Sequence, residues 1–326
     1  MNAPLPTPAL LATRAAQRGR LRSTALRDSR ERLVRGALVL TSVFSIGITF
    51  AIILTLAWET FHFIQLPEVT LSDFLLGTTW SPLLGAEKHF GIWPLVCGTF
   101  LVASVGAAFA LPVGLISAVY LSEYARPGVR ATLKPVLELL AGVPTVVFGF
   151  FALTVITPAL QGLCKLLFGA PIFPGYNATG AGLAVGIMIL PIVCSLSEDA
   201  LRAVPRSLRE GAYALGGTRF DVSVRVVVPA ALSGIMASFF LAITRAIGET
   251  MIVALAAGGL AHLTLNPASE TQTMTAYMVQ IFLGDAPAFG VENLSSYAVA
   301  AVLFTLTLGM TVLGNMLLRL FQEEYE

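Results

Sequence analysis

Residues 198–229, EDALRAVPRSLREGAYALGGTRFDVSVRVVVP, decide the fold class through the contrast with their flanks. The stretch carries five arginines, Arg202, Arg206, Arg209, Arg219 and Arg225. Residues 180–197 before it hold no Asp, Glu, Lys or Arg, and residues 230–258 after it hold only Arg245 and Glu249. An apolar run of about 20 residues crosses the hydrocarbon core as a helix, because a helix satisfies its own backbone N–H and C=O groups there. The arginine-rich stretch is therefore a loop between two membrane spans.

The rest of the chain extends that reading. Of 326 residues, 56% are apolar and 12% charged, with a mean hydropathy of +0.80, against about 25% charged residues in a soluble domain. Six spans are predicted, over residues 36–58, 94–121, 139–157, 180–197, 230–258 and 297–318, which makes an all-α polytopic membrane protein. Eight arginines precede the first span, three basic residues (Arg126, Arg130, Lys134) lie between spans two and three, and Arg319 follows span six. With the five in the loop, seventeen of the twenty Lys and Arg residues fall on one side, against Lys88 and Lys165 on the other. The positive-inside rule then places both termini in the cytoplasm. Only Arg245 is left over, inside span five.

The expected organisation is a cytoplasmic tail (1–35), a transmembrane domain (36–320) containing the 205–229 loop, and a cytoplasmic C-terminal tail (321–326). The arginines of the first tail hold the orientation of span one and touch anionic lipid headgroups. An organellar transit peptide is the weaker alternative, because the first apolar run is too long for the core of a cleaved signal. Cys97, Cys164 and Cys194, like His62, His89 and His262, are too scattered for a disulfide framework, a metal site or a catalytic triad. No cofactor and no nucleic-acid partner is expected. Trp58, Trp80 and Trp93 fit an interfacial aromatic belt. Gly182 and Gly186 suit close helix approach, and Pro112, Pro144 and Pro191 are expected to bend spans two, three and four.

Within the loop, Pro205 suits a helix's first turn, and Gly216 with Gly217 suits its end, where a left-handed residue is needed. Leu208, Ala212 and Leu215 recur at helical spacing and demand a surface to bury them, either the lipid interface or a groove on a partner. The letters add to the spacing. EGAYALGGTRFDVSVRVVVP resembles the EAA loop of ABC-importer permeases, with Glu210, Ala212 and Gly216 in place, nine residues following, and Pro229 closing the motif. Gly211 departs from the pattern's alanine, and Val226 and Val228 stand for its isoleucine and leucine. RAIGETM (residues 245–251), LLAGVPTVVFGFFAL (139–153) and residues 93–125 resemble the permeases of the phosphate-specific ABC importer, and within them the PstC type.

The resemblance implies a type I ABC importer permease fold in a bacterial inner membrane, serving phosphate transport. It implies that the helix around Leu208, Glu210, Ala212 and Gly216 docks in a groove of an ATPase subunit. The assembly it implies includes a second, homologous PstA-type permease, two ATPase copies and a periplasmic phosphate-binding protein. The chain has no GxxxxGK[ST] motif to cradle nucleotide phosphates, so it is not itself the ATPase.

Arg245 and Glu249 stand four residues apart in span five, a spacing that on one helix permits pairing. A charge at mid-membrane costs about 2.5–3.5 kcal/mol. The pair is either a structural ion pair or an anion site, in which the Arg fork suits phosphate oxygens. Arg plus Glu sums to zero, so a partner permease is expected either to add basic groups or to pair with Glu249 and free Arg245. Thr250 and Thr145 are candidate hydroxyl donors beside the pathway. The alternatives are a permease for molybdate or sulfate, and an ATP-independent carrier using the same charges.

Overall fold

The computed structural model describes residues 8–83, 88–285 and 290–320; the C-terminal tail 321–326 lies outside them. The chain divides into two compact units, Met1–Trp58 and Glu59–Glu326. Helix α1 (Pro8–Ile64) runs without a break from the arginine-rich tail through the first span, so the backbone of the tail is helical from Pro8 onward. Apolar side chains of that span such as Leu38, Phe44, Ile46 and Phe50 are exposed, as expected of a lipid- or partner-facing helix.

The second unit carries α2 (Leu71–Leu76), strands β1 (Trp80–Ser81) and β2 (His89–Phe90), α3 (Trp93–Val119), α4 (Pro127–Ala141), α5 (Thr145–Phe151), α6 (Thr157–Phe168) and α7 (Ala178–Ala203). There follow α8 (Arg206–Ala214), α9 (Arg219–Val222), α10 (Val228–Ala230), α11 (Leu232–Ile247), α12 (Met251–Ala256), α13 (Met274–Gln280) and α14 (Val291–Leu320). Among the described residues five helices are long and apolar enough to cross a membrane, and a sixth span forms if α9–α10 and α11, bent by 69°, are taken together. The strands pair antiparallel, Trp80 opposite Phe90.

The third span starts later than expected. It covers Thr145–Phe168, because Leu139 and Leu140 finish the separate helix α4 and the turn at Gly142–Pro144 precedes α5. Pro144 is therefore the N-cap of a span rather than a kink within one. Helices α3 and α7 pass through Pro112 and Pro191 without interruption. Two other prolines act on the backbone just upstream. Pro158 and Pro229 lack the N–H that would bond residue i−4, and each follows a π-turn, Ala152–Ile156 and Ser223–Val227, whose wider ring absorbs the missing bond.

Glycine sets the tightest contact. A Cβ on Gly106 of α3 would stand 2.9 Å from the Gly182 carbonyl oxygen of α7, and one on Gly186 would stand 2.9 Å from that of Gly106. The two backbones touch there, which is the helix packing expected of Gly182 and Gly186. The core around this seam includes Val102, Ala110, Val185, Ile189, Ile247 and Ile252. A second core at the opposite end from the basic loops buries Phe63, Phe74, Trp80, Phe90 and Tyr277. Trp80 is not an interfacial anchor: its ring meets Tyr277 and Phe90 edge-on, at 4.9 and 6.1 Å between centroids. Trp58 and Trp93 are exposed, and Trp93 donates its ring N–H to Leu75 O.

Candidate functional site

The sequence motif RAIGETM falls where span five breaks. Helix α11 ends at Ile247, Gly248 caps it, and a new helix, α12, begins after Thr250. The predicted single helix over 230–258 is thus three pieces, bent at Ala231 and again at Gly248–Thr250. Gly248 takes an ordinary backbone conformation (φ −86°), and Glu249 supplies an acceptor for the amides that the break leaves open.

This break undoes the expected helical pairing of Arg245 with Glu249. The Glu249 carboxylate is buried and accepts from the backbone N–H of Met251 and of Ile252, at 3.2 and 3.4 Å. A carboxylate is favoured there by the positive end of a helix. The Glu249 carbonyl accepts from the Thr275 hydroxyl at 2.6 Å, which holds the N-terminus of α13 against the break. Arg245, on the last turn of α11, is exposed, and its polar contact is the Met188 thioether of α7 at 3.9 Å. Among the described residues no carboxylate pairs with it. The negative charge of Glu249 is committed to its own backbone, and the positive charge of Arg245 remains uncompensated on an otherwise apolar helix.

Thr250 is half-buried and donates weakly to Gly248 O at 3.4 Å. Thr145, also half-buried, opens α5. That helix packs on α12, since a Cβ on Gly149 would stand 3.2 Å from Ile252 Cα. Among the described residues no hydrogen bond joins Thr145 to Arg245 or Glu249.

In the arginine-rich loop after α7, α8 has Pro205 as its N-cap, and Gly216 takes the left-handed conformation (φ 84°) that ends it. Thr218 and Asp221 then form a capping box that starts α9. The expected stripe of Leu208, Ala212 and Leu215 divides between two faces. Leu208 and Ala212 pack inward on a third core containing Leu121, Leu201, Val204, Val222 and Val227. Leu215 is 91% exposed, and Tyr213 and Phe220 are exposed beside it. Part of the stripe is therefore satisfied within the chain, and the outward face is made by Glu210, Tyr213, Leu215 and Gly216, with Phe220 close by in sequence. Pro229 is exposed, just before the bend at Ala231.

Two charged groups that sequence reasoning did not single out knit this side together. Glu198, fully buried near the end of α7, receives Arg130 Nε at 2.7 Å and Lys134 Nζ at 2.8 Å from α4, and lies 3.8 Å from Arg202. Burial works against the Lys134 ammonium, but its bonds to Asp199 and Glu198 outweigh this and raise its pKa above the ordinary value. Arg209 donates to Val204 O at 2.6 Å, to Leu201 O at 2.7 Å and to Glu123 Oε1 at 3.2 Å. The available signal was the acid at the end of span four facing a basic loop two spans earlier.

Comparison with known proteins agrees with this architecture. Residues 110–323 match the family described as "Binding-protein-dependent transport system inner membrane component". The chain is 31% identical over 276 residues to the probable ABC transporter permease protein YqgH of Bacillus subtilis, covering 84% of this chain and 87% of the relative. It is 30% identical over 333 residues to the phosphate transport system permease protein PstC of Mesorhizobium japonicum, covering 96% of each. PstC of Xylella fastidiosa is 31% identical over 288 residues, 83% of this chain and 85% of the relative. Among solved structures, a bacterial ABC transporter involved in the import of alginate superposes with a TM-score of 0.65 at 12% identity, over 90% of this chain and 98% of that one. At that identity the likeness speaks for the fold. The chain belongs to the binding-protein-dependent transport system inner membrane components, and its fold is that of a type I ABC importer permease.

Proposed function

We propose that the chain is one of two homologous permease subunits of an ATP-driven importer of inorganic phosphate. The observation that carries the reading is Arg245: an exposed guanidinium with no carboxylate partner among the described residues, on an apolar span, in a chain similar to phosphate permeases. An exposed charge at membrane depth belongs in a water-filled path or at a subunit interface. The guanidinium fork presents donors in the geometry of phosphate oxygens. Glu249 holds the break that carries Arg245, while Thr250 and Thr145 stand as hydroxyl donors near the same path. A PstA-type second permease completes the site.

ATP is hydrolysed by a separate pair of subunits, because this chain has no phosphate-cradling loop of its own. The α8 region meets them through the outward face of Glu210, Tyr213, Leu215 and Phe220. Leu208 and Ala212 hold α8 to the spans, and Gly216 and Pro229 shape the loop ends. A periplasmic phosphate-binding protein delivers the anion.

The test is ATP-dependent uptake of radiolabelled phosphate by the whole complex in proteoliposomes. Arg245→Ala, in complexes that assemble normally, is expected to lower uptake about 10- to 100-fold, the scale of a lost charge-assisted hydrogen bond. Wild-type uptake by that variant would remove the anion-site reading. Competition by molybdate and sulfate distinguishes phosphate from the other oxyanions, which the same fork suits.

A further inference from the structure

We infer that Arg209 is the positioning residue through which displacement of α8 reaches spans two and four together. The inference rests on the reading of α8 as the ATPase-docking helix.

Arg209 lies on the inward side of α8, and its side chain is 17% exposed. Nη1 donates to Val204 O and Nη2 to Leu201 O, which also accepts from the Val204 N–H; both lie at the C-terminal end of α7, where carbonyls lack the i+4 amide of a helix and a cation is favoured. Nη2 also reaches Glu123 on a different element, the π-turn Tyr120–Tyr124 that ends the span begun by α3. Glu123 is fixed in turn by the Ser122 hydroxyl at 2.8 Å. An ordinary helix cap would need the two carbonyls alone. The third contact makes one planar group a junction of three elements, α8, α7 and the end of span two.

From α7 the connection continues by short contacts. The Ser197 hydroxyl meets that of Ser238 on α11 at 2.8 Å, and Glu198 holds α4 through Arg130 and Lys134. Helix α11 is the one that carries Arg245. Leu208 and Ala212 also pack α8 inward, but an apolar contact lets surfaces slide, whereas a fork bonded at three oxygens fixes direction. A lysine retains the charge and loses the fork.

The experiment uses the complete importer in proteoliposomes, comparing wild type with Arg209→Lys and Glu123→Ala. It records subunit assembly, basal ATP hydrolysis, stimulation by the phosphate-loaded binding protein, and phosphate moved per ATP. Both variants are expected to assemble with basal hydrolysis within about twofold of wild type, while phosphate moved per ATP falls about tenfold, the consequence of a lost charge-assisted bond. A merely structural cap would lower assembly and leave that ratio unchanged in the complexes that form. Either variant keeping the wild-type ratio overturns the inference. Absence of phosphate uptake by the wild type overturns the phosphate reading instead, and Arg209 is then judged on stimulated hydrolysis, where a wild-type response from either variant overturns it.

Discussion

The Glu249 carboxylate lies on the amides of Met251 and Ile252, and not on the guanidinium of Arg245 four residues earlier. The two charges therefore have separate duties. A charge-neutral double variant, R245Q/E249Q, is expected to take up phosphate no faster than R245Q alone; an ion pair would instead give rescue by the second change. E249Q alone keeps an oxygen acceptor for the two amides and loses about 1 kcal/mol of cap energy, so its uptake should exceed that of R245Q. Initial uptake rates of the three variants in proteoliposomes check both statements.

The glycine seam predicts opposite signs for two similar substitutions. Gly186→Ala places a methyl 2.9 Å from the Gly106 carbonyl and 3.0 Å from the Phe109 ring, overpacking that costs about 1–3 kcal/mol. Gly211→Ala meets nothing within 4 Å and replaces a poor helix former in α8, a gain of about 0.5–1 kcal/mol. Thermal unfolding midpoints of the purified protein in detergent should move down for the first and up for the second.

Removing the Glu198 carboxylate leaves Arg130, Lys134 and Arg202 facing one another around the site it occupied. Loss of one partner from a buried ion network costs about 3–5 kcal/mol, and the partial exposure of the three cations puts Glu198→Ala at the lower end. The same thermal measurement applies, and Glu198→Gln, which keeps the acceptor but not the charge, should fall between.

The two faces of α8 should respond differently to one kind of change. Leu215→Asp is expected to abolish co-purification of the ATPase while leaving the unfolding free energy of the permease within about 0.5 kcal/mol of wild type, as for an exposed site. Leu208→Asp, on the inward face, should lower the yield of folded permease itself. Co-purification scored against total folded protein separates the two.

Much of this was legible in the letters. Hydropathy located most of the membrane-spanning helices, because in lipid an apolar run of sufficient length follows from solvation alone. The end of α8 was legible because the turn there favours glycine, and Gly216 does adopt φ 84°. Hydropathy failed where an apolar run contains a turn. Leu139 and Leu140 are as apolar as the span that follows, and only Gly142 and Pro144 signal that α4 stops there. The break at Gly248 was hidden for the same reason, and with it the partner of Glu249. Trp80 could not be placed from sequence, since a ring at the membrane edge and a ring in the core beneath it have the same neighbours along the chain. The split of Leu208 from Leu215 needed the tertiary surface against which α8 lies.

The contact of backbone on backbone at Gly106, Gly182 and Gly186 also limits how the molecule can move. Val105 already fills the notch at Gly182 and the Phe109 ring the notch at Gly186, so sliding α3 along α7 would drive these side chains against backbone, and the pair behaves as a strut whose two rods are locked in register. The breaks in the helical backbone of span five lie outside the strut, at Ala231 and at Gly248–Thr250. Arg245 sits on α11 between those breaks, and the Ser197–Ser238 contact at 2.8 Å ties that helix to the strut, so its guanidinium follows the strut rather than α12.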